Sequence, residues 1–124
     1  MQNNESAENY LETILVLGRR LPVVRSVDVA NELGFKKSSV SIAMKNLREK
    51  GHITVTDAGF IYLTDSGKDI AESIYERHEF ITKFFTEIGV NPNVAEEDAC
   101  RIEHVISAET FAALKSFVNR SNQS

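Results

Sequence analysis

The feature that most restricts this chain is a three-point spacing, Ala30, Gly34 and Val40, within SVDVANELGFKKSSVSIAMKNLREK (residues 26–50). Ser26 reads as the N-cap of a short helix that stops at Gly34, and Ser38 as the cap of a second helix that ends at Gly51. Where two helices meet at an angle, a small Ala lets them approach, Gly takes the left-handed turn conformation and Val fills the angle between them. Directly after Gly51 the apolar period changes from helical to two. HITVT and FIYLT alternate around a DAG turn, with Ile53, Val55, Ile61 and Leu63 pointing one way. An ordinary edge ribbon is the competing reading of that hairpin, but its place straight after the helix pair favours a wing.

The rest of the chain reads as helix. Residues 6 to 18 carry an apolar stripe of Ala7, Tyr10, Leu11, Ile14 and Leu15, closed by Gly18 and Pro22. Thr64 or Asp65 opens a long helix to about Phe85, with a stripe of Ile70, Ile74, Ile81, Phe85 and Ile88 and with Gly89 past its end. Asn91-Pro92 is a start signal, a capping Asn with Pro in the first helical position. Ser107 is expected to cap a last helix whose Phe111, Leu114, Phe117 and Val118 need a partner surface, which points to a dimer. The expectation is a mainly α chain: a winged helix-turn-helix DNA-binding domain over residues 1–70, then an all-helical dimerisation and metal-binding domain over 71–124.

Charge supports two roles in one chain. The net charge of −4 argues against nucleic acid, yet residues 18–50 hold eight Lys or Arg against three acids, while residues 69–124 hold ten acids against five bases. Lys36, Lys37, Ser38, Ser39, Ser41, Lys45 and Arg48 cluster on the second helix of the pair and its entrance. Cations there can neutralise phosphates, and hydroxyls and free N–H groups at a helix start can meet phosphate oxygens or base edges. Arg25 and Ser26 are placed to touch the DNA backbone. Ile42 and Ala43 could meet thymine methyls. The plain alternative is a solvated basic face. No apolar run is long enough to cross a bilayer, and MQNNESAENY lacks the basic and apolar regions of a signal peptide, so a cytoplasmic protein is expected.

The single cysteine is core filler, a reactive thiol or a ligand. It lies in DACRIEHVIS (residues 98–107). At about 100° per residue, Ala95, Ala99, Ile102 and Ile106 form one stripe, and Glu96, Cys100, Glu103 and His104 share an arc of about 100° beside it. Thiolate, imidazole and carboxylate together suit a divalent transition metal better than calcium or magnesium. Core filler and surface decoration are the bland readings of the same residues. Asn9 and Glu12 share one face of the first helix and His78 lies on or near the stripe of the long one. A ligand from each of three helices is how helical proteins build metal sites. Cys100 with His104 one turn away could also be a nucleophile and base, but no Gly-rich oxyanion loop or orienting third group accompanies them, so no enzyme is expected.

The order of helix, helix-turn-helix, wing, LTxxGK (Leu63 to Lys68), RHE (Arg77 to Glu79) and ACRxEHxxS (Ala99 to Ser107) resembles the DtxR/MntR family of metal-dependent transcriptional repressors. The resemblance implies a cytoplasmic homodimer in which bound Fe(II) or Mn(II) orders the first helix against the dimerisation domain and fits two winged helices to a palindromic operator. By position it implies metal ligands at Glu12, His78, Cys100, Glu103 and His104, and an ancillary one at Glu96. Asn9 departs from the family, in which iron-type members have Met there and manganese-type members Asp. Cys100 matches the iron type, while the chain, without the third domain of longer iron-type members, is short like the manganese type. Fe(II) is the expected metal and Mn(II) the next, with Ni(II), Co(II) or Zn(II) able to bind in vitro. The expected function is a metal-responsive DNA-binding repressor of metal-homeostasis genes. The alternative is a winged-helix regulator that answers to an organic ligand or a protein partner.

Overall fold

The apolar stripe of the first helix works as expected, but the helix runs past Gly18. In the computed structural model, which describes residues 5–122, α1 spans Glu5–Arg20 and buries Leu11, Ile14 and Leu17. Gly18 is exposed and lies inside the helix. A single Gly costs a helix only about 1 kcal/mol, too little to end one whose neighbours are already packed. The turn after Arg20 and Pro22 make the break.

Next come α2 (Ser26–Leu33) and α3 (Lys37–Glu49). Ala30 and Val40 are buried, Val40 completely. Gly34 has φ 70°, and the N–H groups of Gly34 and Phe35 both reach the Ala30 carbonyl, the left-handed cap that the spacing predicts. Both caps expected from serine are corrected by one or two positions. Arg25 is the N-cap of α2 and Lys36 that of α3, so Ser26 and Ser38 stand inside the first turns. The Asp28 carboxylate does the capping of α2 instead, accepting from the Arg25 N–H at 2.9 Å; a carboxylate three residues into a helix can reach back in this way.

Strands β1 (Ile53–Val55) and β2 (Ile61–Leu63) pair antiparallel in the register Ile53 to Leu63, Thr54 to Tyr62 and Val55 to Ile61. Ile53 and Ile61 are buried while Thr54 and Tyr62 face out, so the alternation holds. The Ile61 N–H donates to the Val24 carbonyl at 2.8 Å, which ties the wing to the start of α2.

The long helix α4 (Asp65–Glu87) follows at once. The Thr64 hydroxyl accepts from the Gly67 N–H at 3.3 Å. Gly67 is buried so closely against the turn after α3 that a Cβ there would collide with the main-chain carbonyl of His52. The helix outruns the expected end at Phe85 by two residues, and Ile88, beyond it, is exposed rather than part of the stripe.

Asn91 caps α5 (Pro92–Ile102) through its side chain, which accepts from the Asn93 N–H at 2.9 Å. Ser107 caps α6 (Ala108–Asn122), accepting from the Thr110 N–H at 3.1 Å. Glu103 and His104 are not on a continuing helix, since α5 gives way to a turn after Ile102.

The chain forms two compact units, Met1–Tyr75 and Glu76–Ser124, where the sequence reading places the boundary five residues earlier. The first has an aliphatic core of Leu11, Ile14, Leu17, Val24, Val29, Ala30, Val40, Met44, Leu47, Ile53, Ile61 and Ala71. At roughly 1.5–3 kcal/mol for each large apolar side chain buried, that core fixes the helix pair and wing as one body. Among the described residues, no helix is long and apolar enough to cross a membrane.

Candidate functional site

Two surfaces carry chemistry, one in each unit. In the first, the core grips α3 by Val40, Met44 and Leu47, which turns the opposite side of that helix outward. Lys36, Lys37, Ser38, Ser39, Ser41, Lys45 and Arg48 are all exposed, and Ile42 stands among them at 64% exposure. Among the described residues no side chain caps the start of α3, so its first N–H groups are available to an anion. Arg25 is exposed beside them, and Ser26 is half-buried. The Arg25 guanidinium lies over the Phe60 ring, 4.9 Å from its centroid. That stacking holds Arg25 against the loop of the wing just before β2, a contact between residues 35 apart in sequence that no local pattern announces. The residues expected to meet DNA run along the exposed side of α3 from Lys36 to Arg48, with Arg25 and Ser26 at the start of α2, and a large exposed aliphatic such as Ile42 on a cationic helix suits contact with base edges.

In the second unit the side chains converge inward. His78 comes from α4, Cys100 from the last turn of α5, and Glu103 from the turn after it. One ligand atom from each lies within 4.8 Å of the other two. Glu103 is fully buried, 0% exposed, although it is a carboxylate. Its Oε2 is 2.8 Å from His78 Nδ1 and its Oε1 is 3.3 Å from His104 Nε2. Cys100 is exposed, so a half-buried imidazole and an enclosed carboxylate are joined by a thiol open to solvent.

The electrostatics follow from that packing. Hydrogen bonds with Cys100 and then with Glu103 lift His78 from its ordinary 6.5 to about 10, against burial, which pulls the other way. At neutral pH His78 is therefore a cation whose Nδ1 donates to Glu103. A buried carboxylate is costly unless it is paired, and here a proton on imidazole supplies the positive charge.

A divalent cation fits the same donor set. Imidazole, thiolate and carboxylate are ligands for borderline transition metals. Donors about 2.0–2.3 Å from an ion lie at most about 4.5 Å apart, so atoms already within 4.8 Å need only small side-chain movements.

Of the remaining expected ligands, Glu96 is exposed on α5 one turn before Cys100. Glu12 is buried on α1 in the first unit, and Asn9, one turn earlier, is half-buried with its main-chain carbonyl accepting from Thr13 Oγ1 at 2.8 Å. Arg77 was passed over as a functional residue by sequence reasoning, though it belongs to the RHE triplet. Its Nη1 donates to the main-chain carbonyls of Glu103 at 3.1 Å and Ile106 at 2.7 Å.

Comparison with known proteins agrees with both halves. Residues 4–59 match the family model described as "Iron dependent repressor, N-terminal DNA binding domain". Residues 64–124 match that for "Iron dependent repressor, metal binding and dimerisation domain". The transcriptional regulator MntR of Escherichia coli O6:H1 is 33% identical over 116 residues, 94% of this chain and 75% of that protein. An uncharacterised helix-turn-helix-type transcriptional regulator of Methanocaldococcus jannaschii is 31% identical over 119 residues, 94% of this chain and 95% of that one. Among solved structures, a manganese-dependent transcriptional repressor in complex with manganese superposes with a TM-score of 0.83 at 25% identity. The match covers 91% of this chain, which spans about half, 52%, of that longer one. With both halves matched in order and relatives covered over most of their length, the chain belongs to the DtxR/MntR family of metal-dependent transcriptional repressors.

Proposed function

We propose that this protein is a cytoplasmic, homodimeric repressor that binds a palindromic operator when it holds a divalent transition metal, and so controls metal-homeostasis genes. The observation that carries the reading is the convergence of His78, Cys100 and Glu103 in a chain whose α3 exposes Lys37, Lys45 and Arg48 together with serine hydroxyls. His78, Cys100, Glu103 and His104 would hold the ion, and Glu12, Asn9 and Glu96 are proposed as further ligands on the resemblance in sequence. When bound, the cation supplies positive charge that neutralises carboxylates and thereby lessens their repulsion of DNA phosphates. The protein's own part is to give up protons from His78 and Cys100, and to present Lys37, Ser38, Lys45 and Arg48 on a helix that Val40, Met44 and Leu47 hold still. Glu12 sits on a helix packed within the DNA-binding unit. Its use as a ligand would bias the equilibrium between binding-competent and incompetent arrangements by the difference in metal affinity between them.

The thiolate and imidazoles favour Fe(II) as the physiological ion, because manganese prefers oxygen donors. Mn(II) is the second choice, and the manganese-dependent relatives are what favour it. Ni(II), Co(II) and Zn(II) should bind tightly in vitro, following the Irving–Williams order. A different effector, an organic molecule, would find room in a groove of about 460 Å³ lined by Leu15, Val23, Tyr62, Lys68 and Glu72.

The test uses duplexes selected from a random library by the full chain under anaerobic conditions with Fe(II) or Mn(II) present. Tight binding that collapses on adding chelator and returns with either ion is expected. Metal-stripped protein that holds the selected duplexes as tightly as the loaded form would overturn the reading and favour the groove.

A further inference from the structure

Arg77 and His78 are neighbours on α4, so their side chains leave the helix about 100° apart. They nevertheless take hold of the same residue. His78 Nδ1 meets the Glu103 side chain at 2.8 Å. Arg77 Nη1 meets the Glu103 main-chain carbonyl at 3.1 Å and the Ile106 carbonyl at 2.7 Å. The two carbonyls bracket the turn that contains His104. The Arg77 guanidinium is also 5.6 Å from the centroid of the Phe111 ring. Phe111 is itself buried and set edge-on to Phe80, so the cation is fastened to α6 as well.

The end of α5 gives this arrangement its importance. The last carbonyls of a helix have no partner within it and form the negative end of its dipole. Beyond Ile102 the main chain makes only a tight turn, with the Val105 and Ile106 N–H groups both returning to the Ile102 carbonyl at 3.0 Å. Left to itself, a turn of this kind samples other conformations, and two metal-binding side chains would move with it. One guanidinium with donors in a rigid plane spans both ends of the turn.

We propose that Arg77 is a positioning residue for the metal centre, holding the backbone of Glu103 to Ile106 so that the Glu103 carboxylate and the His104 imidazole are arranged before an ion arrives. The proposal rests on the metal-binding reading above. It makes Arg77 an outer partner of the site, and loss of such partners typically weakens metal binding by about 10–100-fold.

Metal-stripped full-length protein, R77K and R77M would be titrated anaerobically with Co(II), following thiolate-to-cobalt absorption, and amide hydrogen exchange at Val105 and Ile106 would be measured without metal. The expected order of affinity is native, then R77K, then R77M, with R77M weaker by about tenfold or more and its two turn amides exchanging faster. L114A, a truncation of a half-buried side chain on α6, should lower the melting temperature yet keep native cobalt affinity. If native protein takes up no cobalt, the metal reading falls and the role of Arg77 with it. If native protein binds and R77M binds equally well, the role of Arg77 alone is overturned. An equal loss in L114A would overturn it too, since general loosening would then suffice. Should R77M fail to fold, R77K decides, and unchanged affinity with unchanged exchange counts against the proposal.

Discussion

Val40 in the first unit and Glu103 in the second are both fully enclosed, each 0% exposed, and they fill those places in opposite ways. Val40 belongs to a sealed aliphatic core, and the residues proposed to meet DNA lie outside it on the far side of the same helix. Glu103 carries its charge into the interior. The buried apolar residues of its unit, among those described, are few, and two of the four are alanines: Ile81, Ala95, Ala99 and Phe111. In the DNA-binding unit, therefore, one set of side chains confers stability and another makes contact with the ligand. In the metal-binding unit the proposed reading gives both tasks to the same side chain, Glu103. Substitutions should therefore part the two properties in the first unit and move them together in the second.

The largest effect is expected from E103L. Removing a ligand should weaken cobalt binding by more than the roughly 10–100-fold typical of losing an outer partner. Metal-free protein should also melt lower, with a loss of up to about 3–5 kcal/mol, because removing one partner of a buried pair leaves His78 without its counter-charge. Thermal melts beside cobalt titrations check both, and an unchanged metal-free melting temperature would break the contrast between the units.

A smaller, graded effect concerns protons. His78 is charged up to about pH 10 without metal, so each ion bound near neutrality must displace its proton. Affinity should fall about tenfold for each unit by which pH is lowered, or more steeply where Cys100 also gives up a proton. Calorimetry in two buffers of different ionisation heat should find at least one proton released per ion at pH 7. The metal-free protein should show the reverse trend in stability. Because the folded state raises His78 from 6.5 to about 10, the contribution of the pair is complete below about 6.5 and is lost as pH rises through 10. Melting temperatures of metal-free protein from pH 6 to 10 test that sign.

The smallest effect on the fold belongs to the outer face of α3. K45A should leave stability within about 0.5 kcal/mol while reducing the slope of log affinity against log salt by about one for a lost phosphate contact. An unchanged slope would remove Lys45 from the interface.

What the sequence made legible in these two regions depended on distance along the chain. Ala30, Gly34 and Val40 lie within eleven residues, and the turn they require has few solutions, so the helix pair could be read directly. The wing register and the caps at Asn91 and Ser107 are local in the same sense. The cap positions at Arg25 and Lys36 were displaced because a serine one or two places inside a helix looks, in sequence, much like a serine at its edge. At α2, Asp28 decided the matter. The end of α5 at Ile102 was missed because helical periodicity continues through Ile106, whereas the main-chain hydrogen bonds tighten into a turn. Cys100, Glu103 and His104 were noticed as chemical types at close spacing. Their convergence with His78 needed contacts over more than twenty residues, and Arg77 revealed its purpose only in the carbonyls it reaches.

Gly67 has a further consequence for anyone comparing this protein with others. Its only hydrogen-sized side chain lies against the His52 carbonyl, so an alanine could enter only if the main chain on one side gave way. Any homologue that stacks these two segments alike is obliged to retain glycine there. The residue will then recur inside a short, recognisable string and be mistaken for a reader of operator or cation, when what it records is the want of room for one methyl group.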